Sequence, residues 1–197
     1  MLEARKEYKF LYTKNQLYEF LNYFGDEIKD LYPSRTIESI YFDTIDYRFY
    51  NLSVLNDIDK VKIRFRKGID KQIYLEIKSS TNNGKFKIKE LTEFSNLDDI
   101  KNYQFGEYKL YPVIKIKYFR KYYKLNNIRI TLDSNITYQN TPNRLPMVKT
   151  IRSNKYIVEY KYLDKNKGEL ENYFVMNPVS FSKYLEGIQS VYPFMNV

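Results

Sequence analysis

Charged and apolar side chains alternate along several stretches of this chain, so that charged groups gather on one face. In residues 60–67 that face carries Lys62, Arg64 and Arg66, and in the next such stretch Glu76 and Lys78 lie together. A period of two is that of a β-strand, whose successive side chains point to opposite faces. Arg supplies a bidentate grip on anionic oxygens and Lys a point charge, so these faces favour an anionic ligand. Three further stretches repeat the pattern with Glu7 and Lys9, with Arg129, Thr131 and Asp133, and with Glu159 and Lys161.

The chain has no Cys and no His, which restricts the catalytic chemistry that its side chains can perform. Thiol nucleophiles, histidine bases, serine triads and ordinary zinc sites are therefore excluded. Any catalysis has to use carboxylates, Lys, Arg and Tyr together with a hard metal ion.

The overall charge also indicates an anionic partner. There are 33 Lys and Arg residues against 24 Asp and Glu, a formal charge of +9 in 197 residues. Nucleic acid, an acidic membrane surface and a phosphorylated small molecule all fit this charge. A hydrophobic content of 43% is too high for a disordered basic tail, and the apolar runs are too short to cross a bilayer. The opening residues do not resemble a secretory signal, so we expect a cytoplasmic protein.

The elements that position the charged groups are mostly strands. Helical spacing appears in 14–24 and after Pro178, where Phe181, Leu185, Ile188 and Val191 share a face, and a short helix is predicted after Ser95. The predicted strands are Lys6 to Leu11, Thr36 to Asp43, Lys60 to Lys67, Ile73 to Ser79, Lys85 to Glu93, Val113 to Tyr123, Asn127 to Asp133 and Tyr156 to Tyr162.

Eight strands with few helices predict an α+β fold built on an antiparallel barrel or a strongly curved sheet. The charged faces are compatible with the solvated exterior of a sandwich. Their dense mixture of basic and acidic groups, and the width of the aromatic apolar faces, favour instead an eight-stranded barrel with a charged lumen and helices packed on its apolar exterior. We expect one domain over residues 1–197, because no linker or repeat interrupts the chain.

Seven segments in order resemble the VTC domain of polyphosphate polymerases, within the CYTH-like triphosphate tunnel metalloenzymes: ARKEYKF, SIYFDTIDYRFY, KVKIRFRKG, YLEIKSS, PVIKIKYFRKYYKLNNIRITLD, YIVEYKY and FSKYLEGI. The resemblance spans about Arg5 to Ile188. It implies a tunnel of antiparallel strands that binds ATP or another triphosphate and polyphosphate, with Mn²⁺ or Mg²⁺ on the phosphates.

The resemblance also implies roles for individual residues. The predicted catalytic residues are Arg64, Arg66, Lys78, Arg120, Arg129 and Glu159. These same basic residues are predicted to bind phosphate, together with Lys9, Lys62, Lys87, Lys161, Ser182 and Lys183. Many relatives have a longer insert with an Arg where this chain has a short basic hairpin. Lys85, Lys87 and Lys89 are the candidates to replace that Arg, and Lys87 is the one chosen. Glu159 is the predicted metal ligand, and Glu7, Glu76 and Asp133 are either further metal ligands or partners that fix the Lys and Arg side chains.

Phosphoryl transfer suits a site without His or Cys, because a phosphate acceptor is already anionic and needs no base. The expected reaction moves the terminal phosphate of ATP onto a growing polyphosphate chain. One alternative is a triphosphatase, in which metal-bound water replaces the acceptor. A second is a non-catalytic binder of polyphosphate or nucleotide; specific nucleic-acid binding is not expected, because no helix carries a dense basic face.

Overall fold

The computed structural model describes residues 5–55, 60–81, 84–142, 147–163 and 177–192. These ranges contain ten strands, three α-helices and two 3₁₀ turns at Gly25–Glu27 and Leu97–Asp99. The α-helices are α1 (Lys14–Phe24), α2 (Arg48–Val54) and α3 (Lys183–Val191). The strands are β1 (Arg5–Tyr12), β2 (Lys29–Asp43), β3 (Lys60–Lys67), β4 (Ile73–Thr81), β5 (Gly84–Leu91), β6 (Tyr103–Phe105), β7 (Tyr108–Leu125), β8 (Ile128–Asn140), β9 (Thr150–Arg152) and β10 (Tyr156–Leu163).

Eight strands follow one another through hydrogen bonds in the order β1-β10-β8-β7-β2-β3-β4-β5, while β6 pairs with β7 and β9 with β8. The pairs β1–β10, β10–β8, β2–β3, β3–β4 and β4–β5 are antiparallel. These eight strands are the eight that the alternating pattern predicts, and the α+β antiparallel fold class is confirmed.

The structure adds elements that periodicity does not predict. Strand β2 begins at Lys29, earlier than predicted. Its first residues are not predicted as strand because they are mostly exposed and lack the alternation of a half-buried strand. Helix α2 has only seven residues and follows Tyr47, whose φ of 57° is left-handed. The predicted helix after Ser95 is a single 3₁₀ turn, and both Leu97 and Ile100 are buried.

The chain divides into two compact units, each assembled from separate stretches. Unit 1 comprises Met1–Thr36, Tyr118–Ile136 and Arg152–Phe181, and unit 2 comprises Ile37–Lys117, Thr137–Ile151 and Ser182–Val197. Neither unit is a continuous segment, and the boundaries between the units fall within strands β2, β7 and β8. The single domain remains a prediction.

In unit 1, helix α1 packs on an apolar core formed with β1, β8 and β10. A capping box starts the helix, since Thr13 Oγ1 accepts from the Gln16 amide at 3.4 Å and Gln16 Oε1 accepts from the Thr13 amide at 2.9 Å. Phe20 is fully buried, and its ring centroid lies 5.4 Å from that of Tyr12. The helix thus covers the apolar side chains of the strands, and the alternate side chains are left for charged groups.

In unit 2, the apolar sides of β2, β3 and β4 form the core together with α2. Ile63 and Phe65 on β3 are buried, and Leu75 opposes Phe65 across the β3–β4 pair. The charged residues of β3 take the alternate positions, as the sequence pattern predicts.

Helix α3 approaches its neighbours in unit 2 closely because it contains Gly187. A Cβ atom at that position would lie 2.7 Å from Ile114 Cδ1 and 2.8 Å from Tyr138 Cδ1. The helix begins at Lys183, so Phe181, which periodicity places on its buried face, precedes it. Close packing of α3 sets where its first residues lie.

Candidate functional site

In unit 1, charged side chains from β1, β7, β8 and β10 form one group, called here the unit 1 cluster. Its assembly follows from strand register, because directly opposed residues of antiparallel strands point to the same face. Lys9 opposes Glu159 and Glu7 opposes Lys161 across β1–β10, and Lys161 in turn opposes Arg129 across β10–β8. The cluster comprises Glu7, Lys9, Arg120, Arg129, Asp133, Glu159 and Lys161.

Lysines and carboxylates alternate within this cluster. Lys161 Nζ lies 2.8 Å from Glu159 Oε1 and 3.2 Å from Glu7 Oε2. Lys9 Nζ lies 3.4 Å from Glu7 Oε1 and donates to the carbonyl oxygen of Phe181 at 3.2 Å. Two carboxylates therefore share one ammonium group, which places them close together.

Both of these carboxyl groups are ionised at neutral pH. Burial opposes ionisation of Glu159, but the charges of Lys161, Arg120 and Lys9 outweigh it and lower the pKa to about 2. The pKa of Glu7 is also lowered, since Lys9 and Lys161 outweigh burial and repulsion by Glu159. The cluster thus presents two adjacent negative charges among basic groups.

The arginines of unit 1 differ in how they are held. Arg120 makes a bidentate pair with the buried Asp133, with Nε 2.5 Å from Oδ1 and Nη2 2.7 Å from Oδ2. Nε of Arg129 is buried and has no hydrogen-bond partner in the described ranges, and the same holds for Oγ1 of the neighbouring Thr131. Arg120 is therefore fixed by a carboxylate, while Arg129 carries an unsatisfied donor.

In unit 2, a second group of polar side chains comes from β3, β4, β5 and the start of α3, and is called here the unit 2 cluster. Across β3–β4–β5, Arg64 opposes Glu76 and Lys62 opposes Lys78, which opposes Lys87. The cluster comprises Lys62, Arg64, Arg66, Glu76, Lys78, Lys87 and Lys183, and Ser182 precedes Lys183 at the start of α3.

Glu76 is the buried centre of the unit 2 cluster. Its Oε2 accepts from Arg64 Nε at 2.9 Å and from Arg64 Nη2 at 2.5 Å, and lies 3.5 Å from Arg66 Nη1. Burial opposes ionisation, but the charges of Arg64 and Arg66 prevail and lower the pKa of Glu76 to about 2. These are the contacts expected of a carboxylate that fixes arginines, and Asp133 makes the same kind of contact in unit 1.

Three lysines of the unit 2 cluster form a row of like charges. Lys62, Lys78 and Lys87 oppose one another directly on three adjacent strands, and Lys78 and Lys87 are exposed. Like charges in directly opposed positions destabilise a sheet. Three adjacent ammonium groups would also attract an anion.

Ser182 and Lys183 lie at the start of α3. Ser182 is the N-cap residue, and its carbonyl oxygen accepts from the Glu186 amide at 3.0 Å. Lys183 is close enough to Tyr41 of β2 to lower the pKa of that phenol. The structure therefore places Lys183 with the arginines that also act on Tyr41, Arg64 and Arg66.

Sequence reasoning missed three polar residues of β2, two of which contact this cluster. Ser39, Tyr41 and Asp43 alternate with the apolar Ile40 and Phe42 in the same period-two pattern, which could have revealed them. Tyr41 accepts from Arg64 Nη1 at 2.7 Å, and Ser39 Oγ accepts from Arg66 Nε at 3.3 Å. All three side chains are buried, which marks them as parts of the site's support.

A model of the VTC domain family matches residues 4–192 of the chain. The chain belongs to the VTC domain family. The resemblance seen in its motifs is thereby confirmed. No curated protein matches the chain, and no helix in the described ranges is long and apolar enough to cross a membrane.

Solved structures give weaker likenesses to this VTC domain. A conserved hypothetical protein from Pyrococcus furiosus is 17% identical with a TM-score of 0.48, over 86% of this chain and 85% of that one. A Pyrococcus horikoshii protein is 14% identical with a TM-score of 0.48, over 86% and 84%. HpAC1 from Hippeastrum, which is described as having a dominant triphosphatase activity, is 13% identical with a TM-score of 0.49, over 95% of this chain and 96% of that one.

Proposed function

We propose that this VTC domain is a polyphosphate polymerase-like phosphotransferase that moves the terminal phosphate of ATP onto a growing polyphosphate chain. The observation that carries the proposal is the row of Lys62, Lys78 and Lys87 beside Arg64 in unit 2. A linear polyanion with a charge on every phosphate matches a row of ammonium groups better than a compact anion does. Membership of the VTC domain family supports the same substrate class.

The arginines supply fixed geometry and the lysines supply charge. Glu76 holds the Arg64 guanidinium through two of its nitrogens, and Asp133 holds Arg120 in the same way. A guanidinium oriented before the substrate arrives stabilises charge on a transferring phosphate without reorganisation in the transition state. Lysines, whose stems are flexible, can follow a chain of varying position.

The reaction needs no general base. An oxygen of the terminal phosphate of the growing chain attacks the γ-phosphorus of ATP and forms a new P–O bond. The bond from the γ-phosphorus to the bridging oxygen breaks, and ADP leaves with the electron pair. The attacking oxygen is already anionic, which agrees with a chain that has no His or Cys.

The donor set fits a hard divalent cation. Glu7 and Glu159 are adjacent and ionised, and carboxylate oxygens are preferred by Mg²⁺ and Mn²⁺. The described residues contain no group of three or more acidic side chains able to hold a metal alone, so a metal held by Glu7 and Glu159 would need further ligands from outside these side chains. Such a cation, when bound, would neutralise charge on the phosphates. Lys161 and Lys9 would hold the two carboxylates in place.

The proposal is tested by incubating the purified protein with ATP and Mn²⁺ and measuring ADP, free phosphate and polyphosphate in the same sample. We expect polyphosphate to appear in step with ADP. Free phosphate in step with ADP, without polyphosphate, would replace the proposal with a triphosphatase. Absence of turnover together with tight triphosphate binding would replace it with a non-catalytic binding module.

A further inference from the structure

A stacked pair of tyrosines in unit 2 connects Arg64 to a buried carboxylate. The rings of Tyr41 and Tyr184 lie 5.1 Å apart between centroids with an interplanar angle of 14°. Tyr41 accepts from Arg64 at 2.7 Å, and the hydroxyl of Tyr184 donates to Asp43 Oδ2 at 2.5 Å. A continuous set of contacts thus runs from Arg64 through both rings to Asp43.

Asp43 makes the far end of this set rigid. It has no exposed surface, and it accepts from the backbone amides of Thr44 at 2.7 Å, Phe49 at 3.0 Å and Tyr50 at 2.9 Å. These amides belong to the loop after β2 and the start of α2, so one carboxylate ties β2, α2 and α3 together. The Tyr184 ring is consequently a fixed surface for Tyr41.

Tyr41 completes the orientation of the Arg64 guanidinium. Glu76 accepts from Nε and Nη2, and Tyr41 accepts from Nη1, so all three nitrogens are held. Of the five N–H bonds of a guanidinium, three are thus directed at Glu76 and Tyr41 and fix the plane of the group. Its orientation is set by Tyr41 as much as by Glu76.

We propose that Tyr41 is a positioning residue, which holds Arg64 for one phosphate group and ties its orientation through Tyr184 to the start of helix α3. The inference rests on the proposed function in one respect, that Arg64 binds phosphate. Neither tyrosine needs to touch the substrate.

The charges around the Tyr41 phenol make its role sensitive to pH. Arg64 and Arg66 face it from β3 and Lys183 from α3, and together they overcome burial and lower its pKa to about 8. Above that pH a phenolate competes with phosphate for Arg64. A bound polyanion has the opposite effect and favours the neutral phenol, so phosphate affinity should fall as the pH rises through 8.

The test measures binding of inorganic tripolyphosphate by calorimetry at pH 7 and pH 9. For the wild-type protein we expect affinity to fall by about tenfold between these values. This is the loss expected when a phenol whose pKa is about 8 in the free protein has to be neutral in the complex. Tyr41→Phe should bind about fivefold more weakly at pH 7, as expected for one lost hydrogen bond, and should lack most of the fall at pH 9. Comparing the two proteins cancels the protonation of the ligand itself.

Two further variants separate positioning from general damage. Tyr192→Phe is the matched control, because it removes a buried phenolic hydrogen bond of the same length, 2.7 Å to the carbonyl of Val113. It should leave affinity and its pH dependence unchanged, whatever its effect on the thermal midpoint. Tyr184→Phe should weaken binding about twofold and retain the fall at pH 9, since the Tyr41 phenol remains.

The outcomes distinguish this inference from the proposed function. If the wild-type protein binds tripolyphosphate and folded Tyr41→Phe matches it at both pH values, the role of Tyr41 is overturned while the proposed function stands. If the wild-type protein does not bind tripolyphosphate, the proposed function fails first and the inference fails with it. An equal loss in Tyr192→Phe would also overturn the positioning role.

Discussion

Replacing Glu76 with Gln should destabilise the folded protein strongly at neutral pH. The Glu76 side chain is 5% exposed and accepts hydrogen bonds from Arg64, with Arg66 3.5 Å away. Gln preserves the volume but removes the carboxylate charge that contacts two half-buried guanidinium groups. Removing one partner of a buried ion pair is costly because the other charge remains buried.

The expected magnitude follows from the pKa. A carboxyl that titrates at 4.5 when exposed and at about 2 in the folded protein contributes about 3 kcal/mol, at about 1.4 kcal/mol for each pKa unit. Because the folded pKa is the lower one, this stabilisation is complete above about pH 5 and is lost as the pH falls towards 2. Glu76→Gln should therefore lower the free energy of unfolding by about 3 kcal/mol at pH 7, and by much less at pH 3.

Urea denaturation at pH 7, 5, 4 and 3, for wild-type and variant in parallel, measures this difference. Glu90→Gln is the matched control, because Glu90 is an exposed residue of the adjacent strand β5, and it should change stability by less than about 0.5 kcal/mol. The reasoning is refuted if Glu76→Gln is as stable as wild type at pH 7. It is also refuted if the difference is the same at pH 7 and pH 3, because the ionised carboxylate would then not be its source.

Three other substitutions test the site and the packing that positions it. Glu159→Gln should stay folded at 25 °C by circular dichroism but lower Mn²⁺-dependent turnover by about 100-fold; full activity would remove Glu159 from the metal site. Arg66→Ala should weaken tripolyphosphate binding by at least about tenfold and Lys62→Ala by only a few-fold, measured by calorimetry, whereas equal losses would indicate a diffuse electrostatic surface. Gly187→Ala should lower stability by about 1–3 kcal/mol in urea denaturation, because the added Cβ would lie 2.7 Å from Ile114 Cδ1; an unchanged midpoint would show that α3 can shift.

Much of the fold is predictable because its signals are local. In a half-buried strand, successive residues alternate between the apolar and the polar face. Ile63 and Phe65 alternate in this way with Arg64 and Arg66, and the structure confirms the alternation. The early part of β2 is not predicted, because both of its faces are largely exposed and the sequence therefore shows no alternation of apolar and polar residues there. Helix α2 is not predicted either, because seven residues are too few to show a helical period.

The candidate site divides in the same way. The charged faces of β3 and β10 are visible in the sequence, and so is the limitation to chemistry without His or Cys. The sequence leaves open whether Glu76 and Asp133 fix arginines or bind metal. Their contacts with Arg64 and Arg120 depend on how strands pair, which no single strand contains.

By itself, the sequence determined which side chains share a face and what kind of ligand those faces attract, because both depend on residue type and on a period of two. Only the tertiary structure decided which charge meets which. Lys9 and Glu159 become neighbours through the register of β1 with β10, and Tyr184 reaches Asp43 across 141 residues of chain because Gly187 lets α3 pack closely. The pKa values near 2 and near 8 arise from these long-range contacts, since they depend on burial and on charges contributed by other strands and helices.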